Sequence, residues 1–105
     1  MLSHCEFMLA HLTHLTIEFD KSVITMGQIA RAKAHCTVLG REVVSLAREV
    51  CGGNGIILDN HVIKAFMDME VMYTGEGTYD VNTLVSGREL TGGLSAINSA
   101  EKPRK

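Results

Sequence analysis

The chain has no tryptophan, a single proline, few aromatic residues and no long uninterrupted apolar run. Without such a run it has no membrane-spanning helix, which needs about 18 to 20 consecutive apolar residues. The proline, Pro103, stands near the C-terminus, so no proline in the preceding sequence interrupts a long helix. With aromatics at only 5%, the core has to be built from aliphatic and methionine side chains. The formal charge of -2 supplies no field to draw in nucleic acid or an anionic membrane. Neither a secretory signal nor an Arg- and Ser-rich transit segment is visible at the N-terminus, and the tail EKPRK is not a peroxisomal address of the SKL type. Cys5, Cys36 and Cys51 form no C-x-x-C pair and are odd in number. Each falls in an apolar helical pattern, so reduced, buried thiols are expected.

A chain of 105 residues holds one domain at most, and 46% hydrophobic content gives it a core to bury. Apolar residues recur at three- and four-residue spacings throughout, and no period-two strand pattern occurs. The first helix is expected over about residues 2–20, with a stripe of Cys5, Met8, Leu12, Leu15 and Phe19. Thr25 followed by Gln28 has the form of a capping box and predicts a second, longer helix. Its stripe runs Ile29, Ala32, Cys36, Leu39, Val43, Ala47 and Val50, and GGNG at 52–55 ends it. Asp59 or Asn60 is the expected cap of a third helix carrying Val62, Ala65, Phe66, Met69 and Met72. Thr78 is the expected cap of a fourth, with Val81, Leu84, Val85 and Arg88 on one face.

The prediction is an all-α, antiparallel helical bundle over residues 1–93, followed by a polar tail at 94–105. Helices three and four are short and together match one long rod, giving three rods where a closed bundle wants four. An uncovered apolar stripe, and with it self-association or a further packing segment, is therefore expected.

Several side chains invite a chemical reading. His11, His14 and Glu18 share one helix face, but zinc would need further ligands or an open water position, and no Cys pair supplies them. No metal site is expected. Cys51 lies at a helix C-terminus, where the dipole disfavours a thiolate. GGNG by itself reads as a helix stop or as a loop whose bare amides face an anion. Glu76 is the most unusual: YTGEGTYD sets one carboxylate between two glycines just ahead of a helix start. It reads either as a solvated turn acid or as a general base beside a glycine-lined gap.

Taken in register, LGREVVSLAREVCGGNGI, HVIKAFMDMEVMYTGEGTYD and VNTLVSGRELTG resemble the C-terminal helical domain of the acyl-CoA dehydrogenase and acyl-CoA oxidase family. The closest resemblance is to short-chain acyl-CoA oxidases and glutaryl-CoA dehydrogenases. G-G-x-G and E-G-T occur at the family's separation. The resemblance implies a flavoenzyme that oxidises the α–β bond of an acyl-CoA thioester, with FAD as cofactor. It implies Glu76 as the α-proton base, with its backbone N–H holding the thioester oxygen and Gly77 admitting the substrate. Thr78 and Asp80 would lie near the flavin diphosphate and ribose. Gly52, Gly53 and Gly55 would contact the adenine-nucleotide half of FAD bound to a neighbouring subunit, so a homo-oligomer is implied.

The family's compartments are the mitochondrial matrix and the peroxisome. Where the family usually has Tyr this chain has Gly75, and where many members have Gln it has Glu49. The family bundle's first long helix is expected to be missing, which agrees with the rod count. The chain is then a piece of such an enzyme. The alternative is a non-catalytic helical interaction module derived from one.

Overall fold

The computed structural model describes residues 1–92, so Gly93 and the tail at 94–105 lie outside the described residues. Four helices follow in order: α1 (Leu2–Asp20), α2 (Met26–Val50), α3 (Val62–Thr74) and α4 (Tyr79–Leu90). Two short 3-10 turns, Gly52–Ile56 and Leu58–Asn60, join α2 to α3. No strand occurs among the described residues.

Local chemistry sets most of these boundaries. The Thr25 hydroxyl accepts the Gln28 N–H at 3.2 Å, and the Gln28 side chain accepts the Thr25 N–H at 2.8 Å. That reciprocal box starts α2 as the sequence predicts. Thr78 starts α4 by accepting the Val81 N–H at 3.2 Å. The expected cap of α3 is not used. His61, in the left-handed region at φ 61°, precedes Val62 with no side-chain cap. The Asn60 amide donates instead to the Asn54 carbonyl at 3.0 Å, tying the two 3-10 turns together.

α2 is the hub, packing against α1, α3 and α4. α1 runs antiparallel to it: His4 pairs with Glu42 at 3.0 Å, and the Phe7 ring meets His35 edge-on at 5.3 Å. On the other side α3 covers the C-terminal half of α2 and α4 the N-terminal half. Arg41 binds Glu70 at 2.7 Å, and Arg31 donates to the Ser86 hydroxyl at 3.1 Å. α3 and α4 are thus laid end to end as one rod, and three rods result. They form an open, elongated array of 61 × 29 × 16 Å.

The core is correspondingly thin. Among the described residues, Leu15, Ala30, Ala32 and Ala34 are the buried apolar ones, and no large side chain is fully enclosed. Gly27 and Gly40 are buried as well, so α2 meets its neighbours through small residues.

The predicted stripes shift accordingly. On α1 the half-buried positions are His4, Met8, His11 and Glu18 around buried Leu15, whereas Cys5, Leu12 and Phe19 are exposed. On α2, Ile29 and Val50 are exposed. On α3, Ala65 and Met72 face outward while Ile63, Glu70 and Tyr73 turn partly inward. On α4, Val81, Leu84 and Arg88 are exposed, and Asn82 and Ser86 are buried instead. The cysteines also depart from expectation: all three are free, but Cys5 and Cys51 are exposed and only Cys36 is partly covered.

One long-range contact ties the ends of α4 and α2. The Glu89 carboxylate accepts the Thr25 hydroxyl at 2.6 Å and the Gly27 N–H at 2.7 Å, at the positive end of the α2 dipole. The Thr25 hydrogen bond, then that of Gly27, holds its pKa below the usual glutamate range. A depressed folded pKa means stability that is present above the unfolded value and lost as pH falls through the folded one. Glu89→Gln should therefore lower the urea midpoint at neutral pH. The gap from the parent should close as the pH is taken below the carboxylate range, and a gap that did not depend on pH would contradict this coupling.

Candidate functional site

The loop from Gly75 to Thr78 joins α3 to α4 and carries Glu76 on an exposed rim. Its backbone is unusual, with Glu76 at φ 56° and Gly77 at φ 89°. Two successive positive φ values are costly for a residue with a side chain, and glycine at 77 relieves the second. A Cβ at Gly77 would also stand 2.8 Å from the Asn82 amide nitrogen. Gly75 leaves one flank of the carboxylate bare: a Cβ there would meet only the Val71 carbonyl oxygen, at 3.0 Å.

What holds this loop comes from other elements. The Lys33 ammonium, on α2, donates to the Tyr73 carbonyl at 3.0 Å and to the Gly77 carbonyl at 2.6 Å. The Asn82 amide, on α4, donates to the Gly77 carbonyl at 2.8 Å and to the Thr78 carbonyl at 3.2 Å. Tyr73 and Tyr79 stack across the loop with ring centroids 6.2 Å apart. The Arg41 guanidinium lies 4.2 Å from the Tyr73 ring centroid, and its hydrogen bond to Glu70 raises its pKa further. Sequence reasoning passed over Lys33, Asn82 and both tyrosines. The available signal was a cation set among small residues in ARAKAH, where a solvated face would normally be more polar.

The other predicted site residues fall into two groups. Thr78 and Asp80 open α4 directly beside Glu76, both exposed. Thr78 spends one lone pair on the Val81 N–H, which leaves its own O–H to donate. Asp80, acceptor-only when ionised, suits a hydroxyl group better than a phosphate. Gly52, Gly53 and Gly55 sit at the far end of α3, in the 3-10 turn after α2. A 13-residue helix, about 20 Å long, lies between the two loops, so they do not form one pocket.

Within GGNG the glycines differ. Gly52, at φ 56°, and Gly53 have nothing within 4 Å of a would-be Cβ, so their backbone is open to a ligand. Gly55 is buried, and a Cβ on it would lie 2.3 Å from the Arg48 carbonyl oxygen.

His11 stacks on Phe7 at 5.8 Å, while His14 is exposed. Among the described residues no three His, Cys, Asp or Glu side chains converge. No helix among them is long and apolar enough to cross a membrane.

The described residues thus form an all-α domain with a glycine-flanked carboxylate in one inter-helix loop and a glycine-rich turn in another. Residues 1–91 match the model of the acyl-CoA dehydrogenase C-terminal domain, and the chain belongs to that family. An acyl-coenzyme A oxidase of Eremothecium gossypii is 36% identical over 73 residues, covering 70% of this chain. One of Debaryomyces hansenii is 31% identical over 70 residues, covering 67%. In both cases the match covers 10% of the relative's length.

Proposed function

We propose that the chain supplies the catalytic base and one edge of the cofactor site of a flavin-dependent enzyme that oxidises acyl-CoA thioesters. The observation that carries this reading is the Glu76 loop. A carboxylate with one bare flank is held on an externally pinned loop, in a chain of a family named for acyl-CoA dehydrogenation. Bound FAD would supply the hydride acceptor. The chain's own residues do the rest. Glu76 takes the α-proton, and its backbone N–H donates to the thioester oxygen. Gly75, on the bare flank, leaves room for the thioester to approach, and Gly77 supplies the backbone turn that follows the base.

The residues present fit one edge of such a cofactor. The free O–H of Thr78 suits a diphosphate oxygen and the Asp80 carboxylate a ribose hydroxyl. The open backbone of Gly52 and Gly53 suits the adenine-nucleotide half, about one α3 length away. That separation fits two different flavins in a homo-oligomer, as the family resemblance implies.

Short-chain or glutaryl-type thioesters are the substrates favoured by the motif pattern. The oxidase names of both relatives favour dioxygen as acceptor and the peroxisome over the mitochondrial matrix.

Incomplete coverage of the fold supports the oligomer. Leu2 is 72% exposed, Leu9 70% and Phe19 65%, and an apolar groove of about 420 Å3 lies open between α1 and α2. At about 25 cal/mol per Å2, covering several such side chains favours association before its entropy cost.

The test is a flavin absorbance spectrum of the whole protein that carries this domain, before and after adding butyryl- and glutaryl-CoA, with sedimentation of the same sample. Bound flavin that bleaches with either thioester, in a particle heavier than one chain, is expected. A colourless protein that still self-associates would hand the reading to the non-catalytic interaction module.

A further inference from the structure

We propose that Lys33, acting with Asn82, is a positioning residue for the Glu76 carboxylate. This rests on Glu76 being the base. Lys33 projects from the middle of α2, partly buried. Its ammonium bridges Tyr73, in the last turn of α3, and Gly77, the residue after the base, at 3.0 and 2.6 Å. Capping the α3 C-terminus would require only the Tyr73 carbonyl, which is one of the orphan acceptors at the negative end of that helix. The second bond has a different consequence. It ties both ends of the 73–77 segment to one ammonium from another helix, with Glu76 inside the bracket.

Asn82, itself buried, adds a second donor to the same Gly77 carbonyl from α4 at 2.8 Å. That carbonyl therefore accepts from two elements at once. The stretch it anchors is the one in a sparsely populated conformation, with φ 56° at Glu76 and 89° at Gly77. Strain of this kind persists only where the surroundings over-determine it. No polar partner aims the Glu76 side chain: its carboxylate makes no hydrogen bond or ion pair among the described residues. Its aim comes from its backbone, and its backbone is set by Lys33 and Asn82. Lys33 also carries the cost of a partly buried cation whose hydrogen bonds both go to neutral carbonyls, and those carbonyl dipoles offset part of it.

The experiment uses the whole flavoprotein with Lys33→Met, Lys33→Arg, Asn82→Ala and Glu76→Gln. Flavin content and substrate KM should stay near the parent's in the Lys33 and Asn82 variants. The rate of flavin reduction at saturating acyl-CoA should fall about 10- to 100-fold in Lys33→Met, the cost of a base misplaced by about an ångström. The α-deuterium isotope effect on that rate should rise, because proton removal becomes the slower step. Lys33→Arg, which keeps the cation and its donors, should recover part of the rate. Amide exchange at Glu76 and Gly77 should quicken in Lys33→Met and Asn82→Ala.

A folded Lys33→Met that reduces its flavin at the parent rate, with an unchanged isotope effect, overturns the proposal, provided Glu76→Gln is slow. If Lys33→Met fails to fold, Asn82→Ala decides by the same two readouts. A Glu76→Gln variant at the parent rate would instead show that the base assignment itself is wrong.

Discussion

In the whole flavoprotein, Glu76→Gln should keep FAD and acyl-CoA bound while flavin reduction falls by about 10² to 10⁴-fold, the usual contribution of a positioned general base. The amide matches the carboxylate in size and fits the same gap between Gly75 and Gly77, so binding has no steric reason to change. It cannot accept the α-proton, so the loss should appear in the rate at saturating substrate rather than in KM. The loop should not collapse either. Its anchors are the Lys33 and Asn82 bonds to the Gly77 carbonyl, and none involves the Glu76 side chain. Asp80→Asn offers the contrast. Asp80 stands in the first turn of α4, and under the proposed reading it faces the ribose, so its change should weaken flavin retention more than it slows chemistry. Stopped-flow reduction with stoichiometric acyl-CoA, beside flavin content after gel filtration, separates the two. Reduction of the Glu76→Gln flavin at the parent rate would move the base to another residue.

The parts of this site that were legible in the sequence are those encoded locally. Thr25 with Gln28, and Thr78 ahead of Val81, announce helix starts because the bonds they make span three residues. The glycines around Glu76 mark that carboxylate out in the sequence, while the positive φ of Glu76 and Gly77 is seen only in the fold. The three-rod count was legible too, since helix lengths follow from where the apolar periods stop.

What was not legible depends on which neighbour wins a face. α1 carries apolar residues on several sides, so its periodicity could not choose between two stripes that share Met8 and Leu15. The expected one adds Cys5, Leu12 and Phe19, and the observed one adds His4, His11 and Glu18. The ion pair of His4 with Glu42 and the packing of Phe7 on His35 mark the second as the face against α2. α4 gave the wrong face for a related reason. Its aliphatic residues outnumber its inward polar ones, yet Asn82 is drawn in by the Gly77 and Thr78 carbonyls, and Ser86 by Arg31. ARAKAH sets Lys33 apart, but its role was not legible, because its partners are backbone carbonyls 40 and 44 residues away, which no side-chain pattern reports.

The glycines of GGNG should separate by function when each is given a methyl group. At Gly55 the added Cβ would lie 2.3 Å from the Arg48 carbonyl oxygen and 3.1 Å from its carbon, both backbone atoms of the last turns of α2. Neither can rotate away. Either the 3-10 turn lifts off the helix end or α2 frays, and Gly55→Ala should cost about 1 to 3 kcal/mol, as overpacking at a rigid contact does. Gly53 has the opposite surroundings, with nothing within 4 Å of a new Cβ and no positive φ to strain. Gly53→Ala should leave stability within about 0.5 kcal/mol of the parent. If its bare backbone meets the adenine-nucleotide half of the cofactor, however, the same methyl group intrudes there, and flavin should be lost more readily on dilution. Urea midpoints for the two variants, with flavin dissociation measured beside them, should therefore give opposite patterns: a large midpoint shift for Gly55→Ala, and for Gly53→Ala faster flavin loss with no shift. Equal midpoints would mean that the turn does not pack on α2 in solution. Unchanged flavin retention in Gly53→Ala would take that glycine out of the cofactor site and leave GGNG as the end of a helix.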